Sequence, residues 1–182
     1  MSKWKIVKKY VTRFSIFLGI LIPLICFYLL PVNIILEPLS KFGIAKETKY
    51  IWNFFLQMIS ILLFINNNSL IYDFEEKLLT TKILHILKIV ISTSLSLTGF
   101  ITMDIKYFHL SFAAIFFLSY TAFMFWYGFL HIKYDLRRSI FSMLISVLVI
   151  ISSFSTLFIG YGPFEIFFIS SIILFHYINN IN

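Results

Sequence analysis

The placement of charge restricts this chain more than any other feature. Six apolar runs, at about 14–32, 50–66, 83–103, 108–130, 139–161 and 164–178, are separated by short clusters of charged residues, and the charges inside them are Lys88 and Glu165, each near an end. A hydrocarbon layer of about 30 Å is crossed by roughly 20 helical residues at about 1.5 Å each. A charge at the centre of such a span costs roughly 2.5–3.5 kcal/mol on insertion scales. Runs this long, apolar on every face, predict an all-α, polytopic transmembrane helix bundle, with residues 1–182 forming a single integral membrane domain. The second run carries Asn53 and Gln57, and the sixth is bounded by Pro163 and Asn179, so five or four spans are the alternatives to six.

Composition points the same way, with 60% hydrophobic and 13% charged residues, where soluble domains average about 45–50% and 25%. The formal charge of +7 sits in clusters beside the apolar runs rather than along one solvated face. Membrane lipids are therefore the expected partners, with another membrane protein or a second copy as further ones, and no nucleic acid is expected. The single cysteine, Cys26, excludes an intramolecular disulfide and a cysteine zinc site. A basic start followed by SIFLGILIPLICFYLLPV has the outline of a signal peptide, but no small-x-small cleavage site follows, and a retained helix is predicted.

With six spans, the side of the termini holds Lys3, Lys5, Lys8, Lys9, Arg13, Lys77, Lys82, Lys88, Lys133, Arg137 and Arg138, and the opposite side Lys41, Lys46, Lys49 and Lys106. This bias predicts both termini in the cytoplasm. A multi-pass protein of the cell membrane is expected, and the abundance of Ile, Phe, Lys and Asn suggests an AT-rich bacterial genome and hence a bacterial inner membrane. Trp4, Trp52, Trp126, Tyr107, Tyr127 and Tyr161 fall near span ends, where amphipathic rings are expected in the headgroup zone.

Helices in lipid associate through close backbone approach and interhelical hydrogen bonds. In the fifth run Ser142, Ser146, Val149, Ser153, Thr156 and Gly160 follow helical spacing and predict one packing stripe. Narrower seams are predicted from Ser15, Gly19, Pro23 and Cys26, from Asn53, Gln57 and Ser60, from His85, Ser92, Ser96 and Gly99, and from Ala114, Thr121 and Gly128.

The outer side gathers Glu37, Glu47, Asp104, His109 and Glu165. Of these, Asp104, His109 and Glu165 are the candidates for acid/base catalysis or a divalent metal, although no HExxH spacing is present. Each also has a structural reading: a boundary turn for Asp104, interfacial hydrogen bonding for His109, and for Glu165 a first-turn carboxylate in a helix begun by Pro163. On the inner side His85, His131 and His176 are metal candidates only if three helices bring them together. His109 and His131 are 22 residues apart on one helix, roughly 33 Å along it, and cannot share a site. There is no Gly-x-Ser-x-Gly elbow and no phosphate-binding glycine loop, and no cofactor is expected.

The stretches PLSKFG, YIWNFFLQ, GFITMD with His109 and FAAIFF, and GPFE occur in that order along most of the chain. In order and position they resemble the small six-helix bacterial and archaeal membrane proteins of unknown function that are distantly similar to the eukaryotic Frag/DRAM/Sfk membrane proteins. The resemblance implies a polytopic bundle with no established catalysis, whose eukaryotic relatives are linked to lipid anchors, membrane lipid distribution and autophagy. The positions matching that pattern on the outer face are Ser40, Gly43, Asn53, Gly99, Asp104, His109 and Glu165. ITMD departs from it by lacking a proline before the aspartate, so the turn there is expected to differ. The leading expectation is a non-enzymatic bundle that contacts lipid or a membrane partner. Alternatives are a membrane-embedded hydrolase or metal-dependent lipid enzyme using Asp104, His109 and Glu165, and a small transporter with a continuous polar tunnel.

Overall fold

The computed structural model describes residues 3–33, 37–74, 78–101 and 105–181. Among these residues there are six α-helices: α1 Lys3–Leu29, α2 Lys49–Ile71, α3 Leu78–Phe100, α4 Lys106–His131, α5 Leu136–Ile159 and α6 Tyr161–His176, the last followed by a π turn, Tyr177–Ile181. Each of the six is long and apolar enough to cross a membrane, so the chain reads as a multi-pass integral membrane protein. Each helix packs on the next, and the π turn brings the chain back against α1, which places both ends of the chain at one end of the bundle, here the terminal end.

The second and sixth spans carry polar residues because those residues find partners inside the protein. Gln57 Nε2 donates to the Ser96 carbonyl at 2.7 Å while Ser96 Oγ donates back to Gln57 Oε1 at 2.6 Å, a reciprocal clamp between α2 and α3. Gly99, one turn beyond Ser96, makes that approach possible. A Cβ there would lie 2.8 Å from Gln57 Nε2 and 2.9 Å from Leu56 Cβ. Further along, α2 runs past the expected end at 66 to Ile71, since the amides of Asn66 and Asn67 are buried in the bundle rather than at its surface.

The chain turns from α5 into α6 at Gly160, whose φ of 102° lies in the left-handed region that favours glycine. Asp135 caps α5 by accepting from the Arg138 amide at 3.1 Å. The packing stripe expected along α5 is realised only in part. Ser142, Ser146 and Val149 are buried, with Ser142 Cβ 3.0 Å from where a Gly128 Cβ would sit. Ser153 and Thr156 instead return their hydroxyls to their own helix, at Ile150 O and Ser153 O, each at 2.7 Å. Such back-bonded hydroxyls need no neighbouring helix, so helical spacing alone overstates the seam. In α4, Thr121 and Gly128 are buried but Ala114 is exposed.

The aromatic belt also needs correction. Tyr107 and Tyr161 are exposed at span ends, whereas Tyr127 is fully buried and Trp52 nearly so. Trp52 packs edge-on against Phe42 at 5.3 Å, and Tyr127 lies 5.4 Å from Phe175. They belong to the core. Trp4 lies outside the described side chains. Large apolar side chains such as Phe17, Leu118, Ile151 and Phe158 point outward, as expected of a bundle solvated by hydrocarbon.

Candidate functional site

The link between α1 and α2 folds back over the distal end of the bundle as a short 3-10 turn, Leu39–Gly43. Its apolar side chains enter the helices: Leu39 and Phe42 are buried, with Phe42 edge-on to Phe27 at 4.9 Å. Its carbonyls are satisfied from α2 and the residues before it. Thr48 Oγ1 donates to Phe42 O at 2.8 Å and Asn53 Nδ2 to Gly43 O at 3.2 Å. Lys41, in the same turn, pairs with Glu37, and both side chains are part-exposed.

Beneath the plug is a partly enclosed cavity of about 120 Å³. Phe55, Leu56, Ile59 and Leu63 line it from α2, Phe116 and Phe117 from α4, and Ile169, Ile172 and Ile173 from α6. Ile16 and Gly19 contribute from α1 and Leu95 from α3. Polar groups occur only toward its two ends. At the distal end these are Ser40, Trp52, Thr98, His109 and Glu165, and toward the terminal end Ser15 and His176.

The two ends differ in what their polar atoms leave unused. At the terminal end Asn66 joins α1 to α2, accepting from Thr12 Oγ1 at 3.0 Å and donating to Ser15 Oγ at 2.9 Å. Asn180 Nδ2 donates to His176 Nδ1 at 3.0 Å, so the proton sits on Nε2, which meets the Tyr120 hydroxyl at 2.5 Å; that hydroxyl reaches Asn67 Oδ1 at 3.4 Å. Both nitrogens of His176 are taken. At the distal end, by contrast, the Leu39 amide donates to Glu165 Oε2 at 2.5 Å, which leaves Oε1. His109, only 4% exposed, bonds through Nδ1 to the Ile101 carbonyl at 2.7 Å. A carbonyl only accepts, so Nδ1 carries a proton, and in the neutral ring Nε2 then keeps its lone pair.

No protein-family model, curated protein or solved structure matches this chain. The resemblance noted in its sequence therefore stands on the short motifs alone, and function has to be argued from the site.

Of the candidates named from sequence, Ser40, His109 and Glu165 line this same cavity. Asp104 lies outside the described residues. Gly43, Asn53 and Gly99 form an adjoining seam: a Cβ on Gly43 would be 2.9 Å from Asn53 Oδ1, and one on Gly99 would be 3.3 Å from Asn53 O. Glu165 is placed differently from expectation. Helix α6 begins at Tyr161, before Pro163, so the carboxylate falls beyond the first turn and serves the plug instead of its own helix.

The inner histidines go separate ways. His85 is exposed and lies 3.4 Å from Lys88 Nζ. His131 packs among Phe74 and Tyr127 at 4.4 and 4.2 Å, and His176 sits on Tyr120. Among the described residues no three His, Cys, Asp or Glu side chains are grouped to hold a metal ion.

Sequence reading missed Tyr120 and the Asn66–Asn67 pair, which tie α1, α2, α4 and the C-terminal turn together. Their signal was present as three successive asparagines at the end of an apolar run. Lys88, read from sequence only as a basic residue near a span end, is buried, bonds to Asn68 Oδ1 at 2.6 Å and lies 4.4 Å from the Phe64 ring.

Proposed function

We propose that this chain is a non-enzymatic lipid-binding membrane protein that takes the hydrocarbon chain of a membrane lipid into its cavity, with the lipid head at the Glu165–His109 end and both termini in the cytoplasm. The observation that carries this reading is the division of the cavity wall, apolar along its length and polar only at its ends. Apolar cavities with a lining of this kind stay dry and take apolar guests. An ion or polar solute would find no partner among Phe55, Ile59, Phe116 and Ile172 midway, which favours a bound chain over transport. The hydrolase reading has in its favour that His109 and Glu165 face one cavity. Their hydrogen bonds, however, go to the Ile101 carbonyl and the Leu39 amide rather than to each other, so the two do not form an acid/base pair.

Native mass spectrometry of the protein released from detergent tests the proposal. Wild-type protein is expected to retain one lipid. In Ala113→Phe and Ile169→Trp, whose new rings fill the cavity, occupancy is expected to fall by about tenfold or more while helical content by circular dichroism is unchanged. Bare wild-type protein, or equal lipid occupancy in all three, contradicts it.

A further inference from the structure

We infer that the mouth of the cavity selects an uncharged, hydroxyl-bearing lipid head and discriminates against phosphate and carboxylate heads. This rests on the cavity holding a lipid chain, and specifies which lipid. Two acceptors are left over at the mouth: Glu165 Oε1, because Oε2 takes the Leu39 amide, and His109 Nε2, because Nδ1 is spent on the Ile101 carbonyl. Among the described residues no lysine or arginine lines the cavity; the nearest basic residue in sequence to its lining, Lys41, pairs with Glu37 outside it.

A phosphate or carboxylate head would therefore carry its negative charge beside the Glu165 carboxyl group, into a poorly solvated place where no described lysine or arginine compensates it, which is strongly unfavourable. A hydroxyl supplies the donor that these acceptors lack, without a charge to desolvate. An alkylammonium would also donate, and a charged Glu165 would attract it, but its three N–H groups meet two open acceptors, so part of its hydration is left unreplaced. A glycerol head bearing two free hydroxyls matches the two acceptors in number. The terminal end of the cavity offers no such choice, since Ser15 and His176 are already bonded within the protein.

The test is competition in nanodiscs by four lipids sharing one oleoyl or oleyl chain: monooleoylglycerol, oleylamine, oleate and oleoyl lysophosphatidate, each displacing a photoreactive oleyl alcohol. Monooleoylglycerol is expected to compete about tenfold or more better than oleate and lysophosphatidate. Glu165→Gln keeps an acceptor for Leu39 but removes the charge, and is expected to narrow that gap by improving the two anionic lipids. Equal competition by all four, or stronger competition by oleylamine, overturns the head selection while leaving chain binding in place. Failure of the oleyl alcohol probe to label the protein at all overturns chain binding and the selection with it. A gap that persists unchanged in Glu165→Gln overturns the assignment to Glu165.

Discussion

Gly99→Leu is expected to lower the stability of the bundle by about 2–4 kcal/mol, from overpacking of about 1–3 kcal/mol and the loss of interhelical hydrogen bonds averaging about 0.6 kcal/mol each. The β-carbon alone would stand 2.8 Å from Gln57 Nε2, 2.9 Å from Leu56 Cβ and 3.3 Å from the Asn53 carbonyl. The Gln57 side chain can turn away, but only by abandoning both bonds of the Ser96 clamp. Leu56 and the Asn53 backbone cannot yield without moving α2. Denaturant titration in detergent should place Gly99→Ala between wild type and Gly99→Leu, while Phe100→Leu at the neighbouring exposed position should change little. Equal stability of Gly99→Leu and wild type would mean that α2 and α3 are not held this close.

The second large effect is expected at Asn66→Leu, which removes the two hydrogen bonds that the Asn66 side chain makes from α2 to α1 at the terminal end. Thr12 and Asn66 are buried almost completely, so no water replaces the missing partner. The loss should be about 1–3 kcal/mol. Ser15 also donates to Val11 O at 2.8 Å, so the larger share of the loss falls on Thr12. A double-mutant cycle isolates this. Thr12→Val should destabilise the wild type but have little further effect in Asn66→Leu. Strict additivity of the two substitutions would show that the pair does not interact.

The number and order of the helices were legible because lipid imposes one rule on every span, that about 20 residues avoid charge. Even the two doubtful spans follow it once their polar residues pair inward, as Gln57 does with Ser96. Pairing between helices was not legible. Whether Asn66 or Tyr120 meets a partner depends on rotations of α2 and α4 that a periodic pattern leaves free. For the same reason, the α5 stripe overcounted its contacts at Ser153 and Thr156, where the hydroxyls close on their own backbone.

The site was legible in its parts but not in its assembly. His109 and Glu165 stand out as polar residues beside long apolar runs, and Ser40 entered through the motif PLSKFG. What joins them is the folding of residues 39–43 over the distal end, driven by burial of Leu39 and Phe42. That insertion depends on the hole that α2, α4 and α6 leave between them, which is a property of the packed bundle. The inner histidines illustrate the converse. Their positions at one depth suggested convergence, yet His85 faces outward while His131 and His176 each stack among their own aromatic neighbours.

Photolabelling with an oleyl alcohol carrying a diazirine near the end of its chain, followed by peptide mapping, tests most directly whether a lipid chain occupies the interior. The account predicts adducts on the inward residues of α4 and α6, Phe116, Ile169 and Ile172 among them, and their loss in Ala113→Phe. Adducts confined to the lipid-facing side chains, such as Leu118, Ile151 and Phe158, and unchanged in that variant would contradict it.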